Sequence, residues 1–168
     1  MKLILSALAL TTTIAAAAAS SQPITDAAAF AKIKSMAGTW SGPTMPGMGK
    51  LRSTYRVIAG GSAVLETSFP GTKNEMVSVY HLDGRGRLVM THYCMLGNQP
   101  TCAVDTRKST NDELVFKFTG GENIKNTAMH MHGMKIRFTG ANSMDCGCTP
   151  YKDGKPTEEH MTTMRRVR

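Results

Sequence analysis

Aromatic residues are scarce in this chain: one Trp, four Tyr and five Phe among 168 residues. A core built from it must rest on aliphatic side chains and on its 13 methionines, which fill irregular gaps. Acidic residues are also few, with 12 Asp and Glu against 20 Lys and Arg, for a net charge of +8. The basic residues are dispersed from Lys32 to Arg168, and the longest cluster is Arg165-Arg166-Val167-Arg168. A nucleic-acid partner is not expected, because such binders gather their basic residues on one helix or stripe with aromatics between them. After the first residues no apolar run reaches the roughly 18 residues that a membrane span needs. Heptads, collagen triplets and internal repeats are missing as well. Catalysis is not expected. There is no Gly-x-Ser-x-Gly elbow, no phosphate-cradling glycine loop ahead of a helix and no close carboxylate pair.

What is present begins with an address. Lys2 precedes an apolar run, Leu3 to Ala19, that ends in Ala17-Ala18-Ala19. This pattern predicts a secretory signal peptide over residues 1–19, cleaved near Ala19. Residues 20–168 are then one domain, secreted or periplasmic. An even set of cysteines in such a compartment makes disulfides the default. Cys94, Cys102, Cys146 and Cys148 allow three pairings, all open from sequence. Cys94–Cys102, across a short loop with Gly97 and Pro100, is the favoured one. Cys146-Gly147-Cys148 closes on itself as a strained ring or stays a dithiol.

A short helix is predicted from Thr25 or Asp26 to about Met36, with Phe30, Ile33 and Met36 forming its apolar stripe. Strands and tight turns follow. Arg52–Ile58, Ala63–Phe69, Glu75–Leu82, Arg87–Cys94, Leu114–Phe118, Ala128–Phe138, Met144–Tyr151 and Glu158–Val167 read as strands. Met95–Thr101 reads as a loop. Consecutive hairpins with one lean apolar face predict an all-β fold, an antiparallel up-and-down barrel with a short N-terminal helix.

Gly38-Thr39-Trp40, directly after the helix, resembles the Gly-x-Trp signature of the lipocalin-like, or calycin, barrels. The resemblance implies that Trp40 plugs the closed end of the barrel and that an arginine of the last strand, Arg165 or Arg166, packs across it. Further segments resemble a group of secreted lipocalin-like proteins that brings a fold and no assigned reaction. They are Met36-Ala37-Gly38-Thr39-Trp40, Tyr55-Arg56-Val57-Ile58 with Gly60-Gly61-Ser62, Thr91-His92-Tyr93-Cys94 with Gly97-Asn98-Gln99-Pro100, and Met129-His130-Met131-His132. Cys146-Gly147-Cys148 stands where that group has an aromatic residue.

The candidate site rests on histidines. Residues two apart on a strand share a side. His130 and His132 therefore share a face with Met134, Ile136 and Phe138, which should be the inner one because Lys135 and Arg137 alternate with it. A bulge at Gly133 would break that alternation. His92 joins them if the Leu88, Met90 and Cys94 face of its strand is also inner. Asn98 and Gln99 lie at the end of that strand, where loops shape access. Glu66 alternates with Leu65 and is expected to face water. The leading reading is a barrel that binds a small, partly apolar ligand through His92, His130, His132, Met134, Asn98 and Gln99, without catalysis. A second reading places zinc or copper on His92, His130 and His132, or haem on one of them as axial ligand. In a third, the barrel is a structural envelope protein that only presents its loops. Inward histidines also serve as purely structural, hydrogen-bonded elements.

Overall fold

The computed structural model describes residues 22–45, 47–125 and 128–167. The predicted leader lies outside the described residues. The helix α1 spans Asp26–Ser35. Thr25 caps it, its hydroxyl accepting from the Ala28 N–H at 3.2 Å, which satisfies one of the orphan donors of the first turn. Asp26 does something else: its carboxylate accepts from the Leu88 N–H at 2.7 Å and so ties the helix to the sheet. Ala29, Phe30 and Ile33 are buried beneath it.

Eleven strands follow: β1 Gly38–Met45, β2 Gly49–Ile58, β3 Ala63–Ser68, β4 Met76–Leu82, β5 Leu88–Tyr93, β6 Gln99–Val104, β7 Glu113–Glu122, β8 His130–Gly140, β9 Ser143–Lys152, β10 Lys155–Pro156 and β11 His160–Arg166. Each of β1 to β9 pairs antiparallel with the next, β9 pairs with β11, and β11 returns to β1. The two-residue β10 only extends the β9–β11 hairpin. Ten strands therefore close into an up-and-down barrel, and closure leaves no edge to aggregate. Inward positions at period two fill the interior: Leu88 and Met90, Leu114 and Phe116, with Ile136, Met144 and Met164, all at most 2% exposed. Burying side chains of this size stabilises the fold by roughly 1.5–3 kcal/mol each.

The helix covers one end of the barrel. There the Trp40 indole N–H donates to the Met36 carbonyl at 2.8 Å. The Arg166 guanidinium lies over the indole, 4.4 Å from the ring centroid, and donates to the carbonyls of Ala37 and Ser35. Arg165 points away and is exposed.

Two expectations are corrected. Residues 99–104 form a strand, not the end of a loop. Pro100 has no N–H to give the ladder, which argues against a strand by sequence. Here it sits opposite Gly121, beside a register shift at Thr101 and Cys102 that absorbs it. Gly121 has φ +149°, and a Cβ there would fall 2.8 Å from the Pro100 Cα, so only glycine lets the strands approach. The second correction concerns Cys94–Cys102. Cys102 pairs with Met90, and the Cys94 N–H donates to the Asn98 carbonyl. The two cysteines are thus four residues apart along the ladder, about 13 Å at the strand rise, too far to bridge without backbone movement. All four thiols are unpaired.

Candidate functional site

Polar side chains line the barrel from Tyr55, which pairs with Gly38 just after the helix, to Asn98 in the β5–β6 turn. One row crosses four adjacent strands: Tyr55 pairs with Glu66, Glu66 with Ser78, and Ser78 with His92. Glu66 does not face water. It is buried beside Val64 and Ser68, which share its face. Its carboxylate accepts from the Tyr55 hydroxyl at 2.8 Å, the Tyr80 hydroxyl at 2.7 Å and the Ser68 hydroxyl at 3.1 Å. Ser53 extends the chain to Ser68 at 2.9 Å. Burial, and then the negative charge of Glu66, push both phenols well above their usual pKa, so they remain donors. Tyr80 also reaches the Met134 sulfur at 3.7 Å. The His92 Nδ1 lies 3.0 Å from the Ser78 hydroxyl. Burial lowers the His92 pKa, and Glu66 opposes that shift.

His130 and His132 lie at the rim. The register between β8 and β9 slips by one residue between Met131 and Gly133, so the bulge falls on His132 rather than at Gly133. The simple alternation from Met134 back to His130 therefore does not hold. The two imidazoles still meet: His130 Nε2 and His132 Nδ1 are 3.1 Å apart. His130 Nδ1 lies 2.9 Å from the Ala128 carbonyl. A carbonyl only accepts, so Nδ1 of His130 carries the proton. Its Nε2 then accepts from His132 Nδ1, and the lone pair of His132 Nε2 is left for something else. Phe118 of β7 and Tyr151 of β9 sandwich the pair, with all four ring-to-ring distances between 4.7 and 4.8 Å. Burial, and then its neighbour His130, lower the His132 pKa.

Asn98, in the β5–β6 turn, donates its amide to the Met129 carbonyl at 2.8 Å. That carbonyl sets which way the amide points, so the remaining atom, Oδ1, is an acceptor. Oδ1 is buried and has no partner. Gln99 is occupied at both ends, donating to the Gly97 carbonyl and accepting from Asn123, so it holds the two loops together.

His92 is held by Ser78, while His130 and His132 hold each other. The three imidazoles do not converge. Among the described residues no group of three His, Cys, Asp or Glu side chains is placed to hold a metal ion. Burial pushes the Cys102 and Cys146 thiols up to about 12, which keeps them protonated and inert. Two cavities, of about 350 and 380 Å³, lie elsewhere. One is beside the helix at Met36, Trp40 and Phe138, the other at Arg52, Phe69 and Val167. Neither is lined by the histidines or Glu66.

Sequence reasoning missed Glu66, Tyr55, Tyr80 and Ser78 as a set, and missed Phe118 and Tyr151 as the walls of the histidine pair. The signal for Glu66 was its sharing a face with Val64 and Ser68. Fold and site together define a closed ten-strand antiparallel barrel with a plugged end and a polar end. No protein-family model and no curated protein matches the chain.

Proposed function

We propose that the chain is an exported, lipocalin-like protein that binds a small, partly apolar ligand at the end of the barrel opposite the helix, and that it catalyses no reaction. The Asn98 side chain carries this reading. Its NH₂ is committed to Met129, and its oxygen is buried without a partner. Leaving such an atom unpaired costs about 1–3 kcal/mol. A ligand that donates a hydrogen bond to it recovers that loss. The surroundings suit an apolar body: Tyr93, Met95, Leu96 and Met129 are all exposed around the same turn and loop.

The test is a thermal-shift screen of the mature chain against a panel of small amphiphiles, repeated on Asn98→Ala. Compounds that raise the melting temperature of the parent should lose that effect in Asn98→Ala. A panel without hits, or hits of equal size in the variant, overturns the reading.

A further inference from the structure

Positive charge that is spread along the sequence comes together on the outer wall of the barrel. Ser41 of β1 pairs with Arg52 of β2 on one side and with Arg165 of β11 on the other. Residues directly opposite on a ladder project to the same side, with Cβ atoms about 4.5–5.5 Å apart. Trp40 and Ser53, the neighbours of Ser41 and Arg52 along their strands, are buried, so this row faces outward. Ser41, Arg52 and Lys50 line the cavity of about 380 Å³, and Arg165 stands beside Ser41.

The same cavity has an apolar side made by Phe69, Pro70 and Val167. Phe69 is 3% exposed yet stands apart from the barrel core. Its φ of +53° is a left-handed conformation that a bulky residue rarely adopts. The backbone is held there from both ends. The Phe69 N–H donates to the Arg52 carbonyl at 2.8 Å, and the Phe69 carbonyl accepts from the Thr72 hydroxyl at 2.9 Å. This bend sets an aromatic ring into the cavity that Arg52 and Lys50 line.

The cations there have no anion of their own. Among the described residues no carboxylate lines the cavity, and none of the ion pairs involves Lys50, Arg52 or Arg165. Glu75, in the loop after Phe69, accepts from the Gly71 N–H, and Asp145 of β9 accepts from the Thr163 hydroxyl.

We infer that this cavity binds a small organic phosphate monoester, with the phosphate among Lys50, Arg52 and Arg165 and the apolar part against Phe69, Pro70 and Val167. The volume is that of a small-molecule site. Guanidinium forks match the oxygens of a phosphate. A phosphate monoester, with a second pKa of about 6, carries close to two negative charges near pH 8, where a carboxylate carries one. The cavity is lined by neither Asn98 nor the histidines, so it stands whatever binds there.

Isothermal titration calorimetry of the mature chain at low salt and about pH 8 tests this with phenyl phosphate, inorganic phosphate and benzoate. Phenyl phosphate should bind saturably and about tenfold more tightly than either of the others. Arg52→Gln, Lys50→Gln and Arg165→Gln, all at exposed positions, should each lower its affinity by about fivefold or more. Arg85→Gln removes the same charge from the β4–β5 turn and should change the affinity by less than about twofold. Asn98→Ala should leave it unchanged. If circular dichroism shows one of the three cavity variants unfolded, the other two carry the comparison. No saturable binding of phenyl phosphate overturns the inference, as does benzoate binding equally tightly. Equal losses in Arg85→Gln and Arg52→Gln would reduce the effect to the net charge and overturn the site. A loss in Asn98→Ala as large as in Arg52→Gln would place the ligand at the other site and overturn it too. Inorganic phosphate binding as tightly as phenyl phosphate overturns the role given to Phe69, Pro70 and Val167.

Discussion

The guanidinium of Arg166 lies across the indole of Trp40, 4.4 Å from the ring centroid, and the indole N–H is bound to the last turn of the helix. One residue of the first strand and one of the last thus lock the closing seam and the helix together. Trp40→Ala should destabilise the fold by about 3–5 kcal/mol, the range for a large buried aromatic. Guanidinium unfolding measures it, and a loss under about 1 kcal/mol would place Trp40 on the surface. Arg165→Ala, at an exposed position of the same strand, should fall within about 0.5 kcal/mol of the parent.

Tyr80→Phe probes the interior carboxylate. The variant keeps the ring and removes one of three donors to Glu66. A hydrogen bond to a charged group is worth about 1.5–3 kcal/mol, and the variant should lose that much. An unchanged unfolding midpoint would show that Glu66 does not need its tyrosines.

The pH dependence follows from His92 and His132, whose pKa values are both lowered by burial, with the neighbour His130 adding to the shift at His132. A group that binds its proton less readily when folded makes the unfolded chain the better proton acceptor. Stability is therefore complete above the unfolded value of about 6.5 and falls as pH drops from there toward the lowered folded values. The melting temperature should decline between about pH 7 and pH 5, and His92→Gln should flatten part of that decline. Proton NMR of the imidazoles should give midpoints for both residues below about 6.5. Midpoints at or above that value would refute the burial argument.

Thiol chemistry gives a separate check. Cys102 and Cys146, held protonated by burial up to about 12, should resist alkylation of the native protein near pH 8 and react once it is unfolded. Peptide mapping without reduction should recover no species linking Cys94 to Cys102. Such a species would mean that the β5–β6 register differs from the ladder in which Cys102 faces Met90.

Most of the barrel was legible because local pattern and tertiary role agreed. The helix, with Thr25 at its cap and Gly38 beyond its end, and the strands around Val64, Tyr80, Phe116 and Ile136 follow from periodicity and turn residues. β6 was hidden because proline forbids a ladder position that a facing glycine and a register shift made tolerable. The outward assignment of Glu66 failed for a related reason. A lone acidic residue on a mixed face reads as solvated, and the hydroxyls that receive it come from Tyr55 on the strand before and Tyr80 on the strand after.

Alone, the sequence determined the class of fold and the strand carrying two histidines, because each depends on spacing along one segment; the burial of Trp40 was implied by the resemblance of Gly38-Thr39-Trp40 to the Gly-x-Trp signature. Tertiary structure decided that Arg166 rather than Arg165 covers Trp40, that Cys94 and Cys102 lie too far apart to pair, and that His92 is held by Ser78 instead of joining His130 and His132. Those outcomes depend on the register between strands distant in sequence. A slip of one residue there, such as the bulge at His132, turns a side chain toward a different neighbour while leaving the local pattern unchanged.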